Sequence, residues 1–405
     1  MSALFEGLQL GELRLKHRVV LAPLTRFRAD RKTLVPTELM KEYYTQRATE
    51  GGLLITEATC ISPEGLPDNN VPGIWTKEQT QGWKKIVDSV HAKGGLISVQ
   101  LWHTGRMAHE TMRDHPMADP ERLPTVSASD VTAPGKTGGT LSGEIDTYSK
   151  PRPLREDEIP RLLEDYKRAA RNAREAGFDA VELHAAHGYL IDQFLNDNTN
   201  KRSDKYGGSI ENRCRLLREA VEAISEEMPL SRVGVRISPQ FEGTMRFFGA
   251  SDSNPLELYT TAIKTLDQYN LAYLLLTEPR WFGGKFDKDH SKDPGFSMGL
   301  YNPSKFRHLY RGPIIGAGGF TPLTAPDAVH NGHYDAIGFG RWFISNPDLV
   351  HRIQQKLPLN KYVRETFYKH GSPDGYVDYP FYEDADKSAL VPQEKIGASL
   401  ESAKL

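Results

Sequence analysis

Cysteine is nearly absent from the chain: among 405 residues only Cys60 and Cys214 carry a thiol. Two thiols cannot build a four-thiolate zinc or iron–sulfur site, and one conceivable bridge is not the framework of a small secreted domain. An excess of either charge is missing too, with 51 Lys and Arg against 53 Asp and Glu for a net charge of −2. Nucleic-acid binders and polybasic membrane-surface proteins need a cationic surplus, so neither a nucleic acid nor a membrane is expected as a partner. No run of about 18 apolar residues exists to span a bilayer. The opening MSALFEGLQL also lacks the basic and apolar regions of a secretory signal, so a cytoplasmic, reducing location is expected. Neither G-x-G-x-x-G behind a first strand nor G-x-x-x-x-G-K-[ST] occurs, which argues against a Rossmann nucleotide domain and a P-loop.

What the chain does have is a repeated alternation. Short, β-branched, nearly continuous apolar runs begin at Val19, Leu53, Leu96, Ala180, Val233, Tyr273, Pro313 and Ala336, as parallel strands covered on both faces require. Helical patterns sit between most of them. Trp83, Ile86, Val87 and Val90 recur at i, i+3, i+4, i+7, behind a Thr76–Gln79 capping box and ahead of Gly94. Ile159, Leu162, Leu163, Tyr166, Ala169, Ala170 and Ala173 form a second stripe closed by Gly177. Ile210, Cys214, Leu217, Val221 and Ile224 form a third, which assigns Cys214 to packing rather than chemistry. Asn254-Pro255 and Asn346-Pro347 read as N-caps followed by Pro at the first helical position.

Strand–helix alternation repeated around eight strands predicts an α/β fold of the (β/α)8 TIM-barrel type, with a doubly wound open sheet as the alternative. Leu8, Leu10, Leu13 and Leu15 alternate around Gly11-Glu12, the pattern of an N-terminal hairpin capping the barrel floor. A long loop follows strand 3. Thr104 to Pro153 is rich in Gly, Pro, Ser and Thr, and reads as a functional lid or else a surface insertion. No linker composition divides the chain, so a single domain over residues 1–385 and a tail over 386–405 are expected.

Barrel enzymes carry their reactive groups at the carboxyl ends of the strands. In chain order these ends hold Thr25-Arg26, Glu57-Ala58, Gln100-Trp102-His103, His184-His187-Tyr189, Arg236, Glu278-Pro279-Arg280, Gly318-Gly319 and Gly340-Arg341. Gly-rich turns after strands seven and eight expose backbone N–H groups, and Arg341 adds a cationic fork. A glycine pair alone is only a tight turn, but at this place in a barrel, beside an arginine, it suits a phosphate. His184 and His187 lie where the chain leaves extended geometry, so both can face one pocket and donate hydrogen bonds to one carbonyl oxygen. With an ordinary pKa of about 10, Tyr189 stays protonated near neutrality and can give its proton to a developing carbanion. A metal-binding pair and a structural pair are the competing readings of the two imidazoles.

Longer segments carry a resemblance. LAPLTRFRA from Leu21, GGLLITEAT from Gly51, VQLWHTGR from Val99, ELHAAHGYLIDQFLNDNTNKRSDKYGGSIENR from Glu182 and GFGRWFISNPDLV from Gly338 resemble the old yellow enzyme family of FMN-dependent ene-reductases. The similarity runs over about residues 4 to 383. It implies that Thr25 hydrogen-bonds the flavin C4 carbonyl, that Gln100 meets the pyrimidine edge, and that Arg236 sits where the reduced ring carries negative charge. Pro23 and Ala58 would supply backbone contacts, and Gly318, Gly319, Gly340 and Arg341 would hold the FMN phosphate. His184 and His187 would bind the substrate carbonyl and Tyr189 would protonate the α-carbon, with Trp102 and Tyr368 lining the substrate side.

The implied cofactors are FMN, with NADPH or NADH as reductant, and no metal. The implied substrate is an α,β-unsaturated aldehyde or ketone, and the chain would act as a monomer or homodimer. A pathway-specific reductase or isomerase of an oxylipin, terpenoid or alkaloid is the alternative. The segment Trp281 to Leu300 departs from the better-known members, so substrate preference does not carry over. Ala403-Lys404-Leu405 resembles the S-K-L address, which makes peroxisomal import a second localisation to test.

Overall fold

A computed structural model describes residues 2–122, 125–240, 247–278 and 303–396. The apolar runs form strands β1 (Val19–Leu21), β2 (Leu53–Cys60), β3 (Leu96–Trp102), β4 (Ala180–His184), β5 (Val233–Ile237), β6 (Tyr273–Thr277), β7 (Ile314–Ala317) and β8 (Ala336–Phe339). They close into one barrel in which every neighbouring pair is parallel, and β8 pairs with β1 to seal it. Closure removes the open-sheet alternative, since no edge strand is left unpaired.

Among the described helices are α1 (Glu38–Arg47), α2 (Lys77–His91), α3 (Ile159–Ala176), α4 (Arg215–Ser225), α5 (Pro255–Leu266), α6 (Thr324–His330), α7 (Arg341–Ser345) and α8 (Leu349–Gln354). The described turn between β6 and β7 is a 3₁₀ segment, Pro303–Leu309. Local chemistry explains most of the boundaries. Thr76 and Gln79 make a reciprocal capping box at α2, Asn254 caps α5 with Pro255 at its first position, and Gly177 ends α3 in the left-handed conformation.

Two expectations need correction. The stripe from Ile210 to Ile224 is not one helix: Ile210–Arg213 and Arg215–Ser225 meet at Cys214, which is buried as packing. Asn346 does not start a helix either. It ends α7, and its amide bonds Asn360 instead, accepting from the Asn360 N–H at 2.8 Å, so α8 begins only at Leu349. A side chain with a strong tertiary partner is not available as a cap.

The hairpin Leu8–Leu10/Leu13–Leu15 plugs the barrel floor, where Leu10, Leu13 and Leu15 pack with Val20, Leu53, Ile55, Tyr273, Leu275 and Ile315. Gly11 permits this plug: at φ +56° its place is within 1.9 Å of the Ser231 carbonyl for any added Cβ. The excursion after β3 is folded. It pairs Val126–Ser127 with Arg152–Pro153, builds a small hairpin from Lys136–Thr137 and Asp146–Thr147, and is tied to α3 by Arg122 on Asp165 at 2.8 Å. Beyond residue 385 the chain continues against the barrel, with Val391 bridged to Leu359 and Ile396 in the core.

Candidate active site

Strand alternation decides which side chains reach the carboxyl-end rim. On β3 the inward positions are Ser98, Gln100 and Trp102, and on β4 they are Ala180, Glu182 and His184, with Gln100 directly opposite Glu182. A bulge in β2 inserts one extra residue between Ile55 and Ala58 relative to β3. Thr56 in that bulge accepts from the Gln100 N–H at 3.2 Å, and Ala58 comes to lie opposite Gln100. His184 is opposite Arg236 on β5. Pro23 and Thr25 follow β1, Pro23 buried and Thr25 half-buried.

The three reacting candidates converge. The His184 and His187 rings are 5.4 Å apart and nearly perpendicular, and the Tyr189 ring stands edge-on to His184 at 5.0 Å and to Trp102 at 4.8 Å. The chain brings them together by leaving β4 through two consecutive left-handed residues, His187 at φ +57° and Gly188 at φ +73°. His184 Nδ1 accepts the Ala186 N–H at 3.3 Å, which leaves the ring proton on Nε2. Arg236 Nε donates to Thr277 Oγ1 at 3.1 Å, and the same hydroxyl meets His187 Nε2 at 3.0 Å. A hydroxyl that accepts from an arginine can pass its own proton to the imidazole, placing the His187 proton on Nδ1.

Burial sets the protonation states. Desolvation, helped by the Arg236 charge, holds both imidazoles well below their ordinary pKa, so they are neutral donors rather than cations. Burial pushes the Tyr189 phenol up, away from ionisation. Arg236 is brought down by burial only to about 10 and keeps its charge near neutrality. Beneath it, Glu182 is pushed up to about 7 by burial, against the pull of Arg236, while its Oε1 accepts from Gln100 Nε2 at 2.6 Å.

The opposite side of the rim is a backbone cradle. Gly318 (φ +106°) and Gly319 (φ +89°) follow β7, and a Cβ on Gly318 would approach the Glu278 carbonyl to 2.8 Å. Gly340 and Arg341 follow the adjacent β8, where Arg341 Nη1 lies 3.2 Å from the Tyr362 hydroxyl. Because β7 and β8 are neighbours, the two turns stand side by side. Tyr368 is different: it is 50% exposed and lies on a strap whose backbone is held by Arg26 and Arg28. Among the described residues its ring meets that of Phe27, at 5.9 Å.

Three residues were not singled out from the sequence. Thr277 joins Arg236 to His187, and Phe247 and Phe248 close the pocket against His187 and Tyr189 at 4.5 and 5.7 Å. A lone hydroxyl at an inward position of YLLLTEP was the available signal for Thr277. The phenylalanines follow β5 on a loop with no periodicity to read. Pro279, Arg280 and the segment Trp281 to Leu300 lie outside the described residues, as does Ala403-Lys404-Leu405. Among the described residues no group of three His, Cys, Asp or Glu side chains is placed to hold a metal ion.

These donors fit FMN: a buried fixed cation and an amide at one side, glycine N–H groups and an arginine at the other, and an unpartnered indole N–H on Trp102 in the pocket wall. A barrel with such a rim defines a flavin-dependent oxidoreductase. Residues 3–360 match the NADH:flavin oxidoreductase / NADH oxidase family, and the chain belongs to that family. It is 43% identical over 388 residues to 12-oxophytodienoate reductase 7 of Oryza sativa subsp. japonica, covering 94% of this chain and 95% of that one. To 12-oxophytodienoate reductase 2 of Arabidopsis thaliana it is 41% identical over 379 residues, 93% of this chain and 94% of the other.

Among solved structures, the old yellow enzyme homologue from Zymomonas mobilis superposes with a TM-score of 0.83 at 43% identity, over 93% of this chain and 99% of its own. Morphinone reductase gives 0.84 at 41% identity, over 95% and 97%. A further morphinone reductase structure, with a TM-score of 0.81 at 40% identity over 94% and 98% of the two chains, is a complex with tetrahydroNAD. The chain is an oxidoreductase of the old yellow enzyme type, with FMN as cofactor, a nicotinamide dinucleotide as reductant and ene-reductase activity.

Proposed function

We propose that the enzyme reduces the C=C bond of an α,β-unsaturated aldehyde or ketone, with NADPH as the reductant and Tyr189 as the proton donor. When bound, FMN supplies the hydride that reaches the β-carbon. His184 and His187 donate to the carbonyl oxygen and draw electron density from the conjugated bond, which they do as neutral imidazoles held by Ala186 and Thr277. Tyr189 gives the α-carbon its proton and is re-protonated from solvent, so the product gains one hydride and one proton. Arg236 would offset negative charge on the flavin ring, Gln100, Thr25, Pro23 and Ala58 would orient it, and Gly318, Gly319, Gly340 and Arg341 would hold its phosphate. Trp102 and Tyr368 bound the substrate side, Trp102 through its edge contact with Tyr189.

The observation that carries this reading is the packing of Tyr189 at 5.0 Å edge-on to His184, beside a buried charged arginine. Stopped-flow mixing tests it. NADPH bleaches the flavin, and cyclohexenone then restores its absorbance. A holoenzyme that no activated alkene reoxidises contradicts the reading. The same rim serves both partners in turn. We further propose a single domain of 1–385 with the following segment docked on it, a monomer or homodimer, and cytoplasmic residence, with peroxisomal import tested by deleting Leu405 from a fluorescent fusion.

A further inference from the structure

The left-handed turn that presents Tyr189 is held by a side chain outside the reacting set. Gln193 and Asp192 are fully buried at the start of the short helix Leu190–Leu195. Gln193 Nε2 donates to the Gly188 carbonyl at 2.7 Å and to the Thr104 carbonyl at 3.0 Å. Its Oε1 accepts from the Arg106 N–H at 3.1 Å and from Ser127 Oγ at 2.8 Å. An amide has two donors and two acceptor sites, and this one uses all four. Asp192 Oδ2 accepts from the Gly188 N–H at 2.7 Å, and the Gln193 N–H donates to the Tyr189 carbonyl at 2.8 Å.

Both polar groups of Gly188 are therefore claimed by this pair, in a turn where His187 is a non-glycine residue at positive φ and any Cβ on Gly188 would meet the Phe247 carbonyl at 2.4 Å. Such a turn persists only when its surroundings over-determine it. The contacts of Gln193 span the start of the excursion at Thr104 and Arg106, its short strand at Ser127 and the turn before Tyr189.

We propose that Gln193 is a positioning residue for Tyr189, fixing the phenol against His184 and Trp102 for proton delivery, an inference that rests on the reading of Tyr189 as proton donor. Gln193→Leu removes all four bonds, and Gln193→Glu keeps the shape while replacing the two donors by an oxygen. In the holoenzyme either variant is expected to slow reoxidation by an enone about 10- to 100-fold, the scale of a displacement near 1 Å, with flavin bleaching by NADPH changed less than about twofold. The enantiomeric purity of reduced 2-methylcyclohexenone at its α-carbon falls as well. In a Tyr189→Phe background, adding Gln193→Leu leaves reoxidation within about twofold, since coupled residues do not add.

Equal slowing of both half-reactions, or the same slowing in both backgrounds, makes Gln193 a general support of the fold and overturns the proposal. Should Tyr189→Phe alone leave reoxidation unchanged, the proton-donor reading itself fails, a result distinct from the other two. If Gln193→Leu does not fold with FMN, the isosteric Gln193→Glu decides by the same split.

Discussion

At the scale of single residues, the reacting set works because burial has fixed its charges. Tyr189→Phe is expected to slow enone reduction by about 10²- to 10⁴-fold while flavin bleaching stays near the native rate, the contribution usual for a general acid. Single-turnover reoxidation measures this, and equal losses in both steps would point away from proton transfer.

His184 and His187 titrate well below about 6.5 and Tyr189 well above about 10, so none of the three changes charge across the neutral range. Glu182, at about 7, is the group beneath the flavin site that does. Reoxidation rates followed against pH should show no inflection that His184→Ala removes. An inflection that His184→Ala abolished would contradict the neutral-imidazole assignment. As pH rises through about 7 Glu182 gains its negative charge and opposes Arg236. The midpoint potential of bound FMN therefore falls more steeply there in the native enzyme than in Glu182→Gln, a difference that potentiometric titration reads.

At the scale of elements, the floor hairpin and the strand ends divide the work of the barrel. Leu10 is fully buried among the lower barrel side chains, far in function from the rim. Leu10→Ala should cost about 2 to 5 kcal/mol of stability by urea unfolding, the range for a buried Leu truncation, with the flavin content of the folded protein unchanged. Loss of FMN without loss of stability would contradict the separation.

The barrel strands, this hairpin, the α2 capping box and the Gly177 stop were all legible in the sequence, because each rests on local periodicity or local backbone need. So was the placement of Gln100, His184 and Arg236 on one rim, since strand alternation fixes facing, while His187 and Tyr189 were expected beside them where the chain leaves the strand, which it does through the left-handed turn at His187 and Gly188. What escaped depends on long-range partners. Asn346 looked like a cap but bonds Asn360, and the β2 bulge that sets Ala58 opposite Gln100 has no glycine or proline to mark it. Phe247 and Phe248 meet the pocket through contacts with His187 and Tyr189, some sixty residues away in the chain, which no local pattern marks.

At the scale of the whole molecule, buried carboxyls give stability a definite pH slope. Glu57, Glu182 and Asp192 are each pushed up to about 7 by burial. A carboxyl whose folded pKa exceeds its unfolded value of about 4 binds its proton more tightly when folded, so its contribution is favourable below that value and is lost as pH rises toward 7. Glu57→Gln keeps a neutral group at every pH. Its melting temperature should match the native one near pH 4 and exceed it near pH 8, since the native contribution is lost between the unfolded value of about 4 and the folded value of about 7. A native advantage at the higher pH would mean that Arg26 and Arg28 hold Glu57 ionised and stabilised.

Hydride delivery at one carbon is paired with proton delivery at its neighbour, and isotope placement reads both at once. With deuterated NADPH in ordinary water, NMR of the reduced enone should place deuterium on the β-carbon alone. With ordinary NADPH in heavy water it should appear on the α-carbon alone. Deuterium from the nicotinamide on the carbonyl carbon, or solvent label at the β-carbon, would contradict the division of labour between the flavin face and Tyr189.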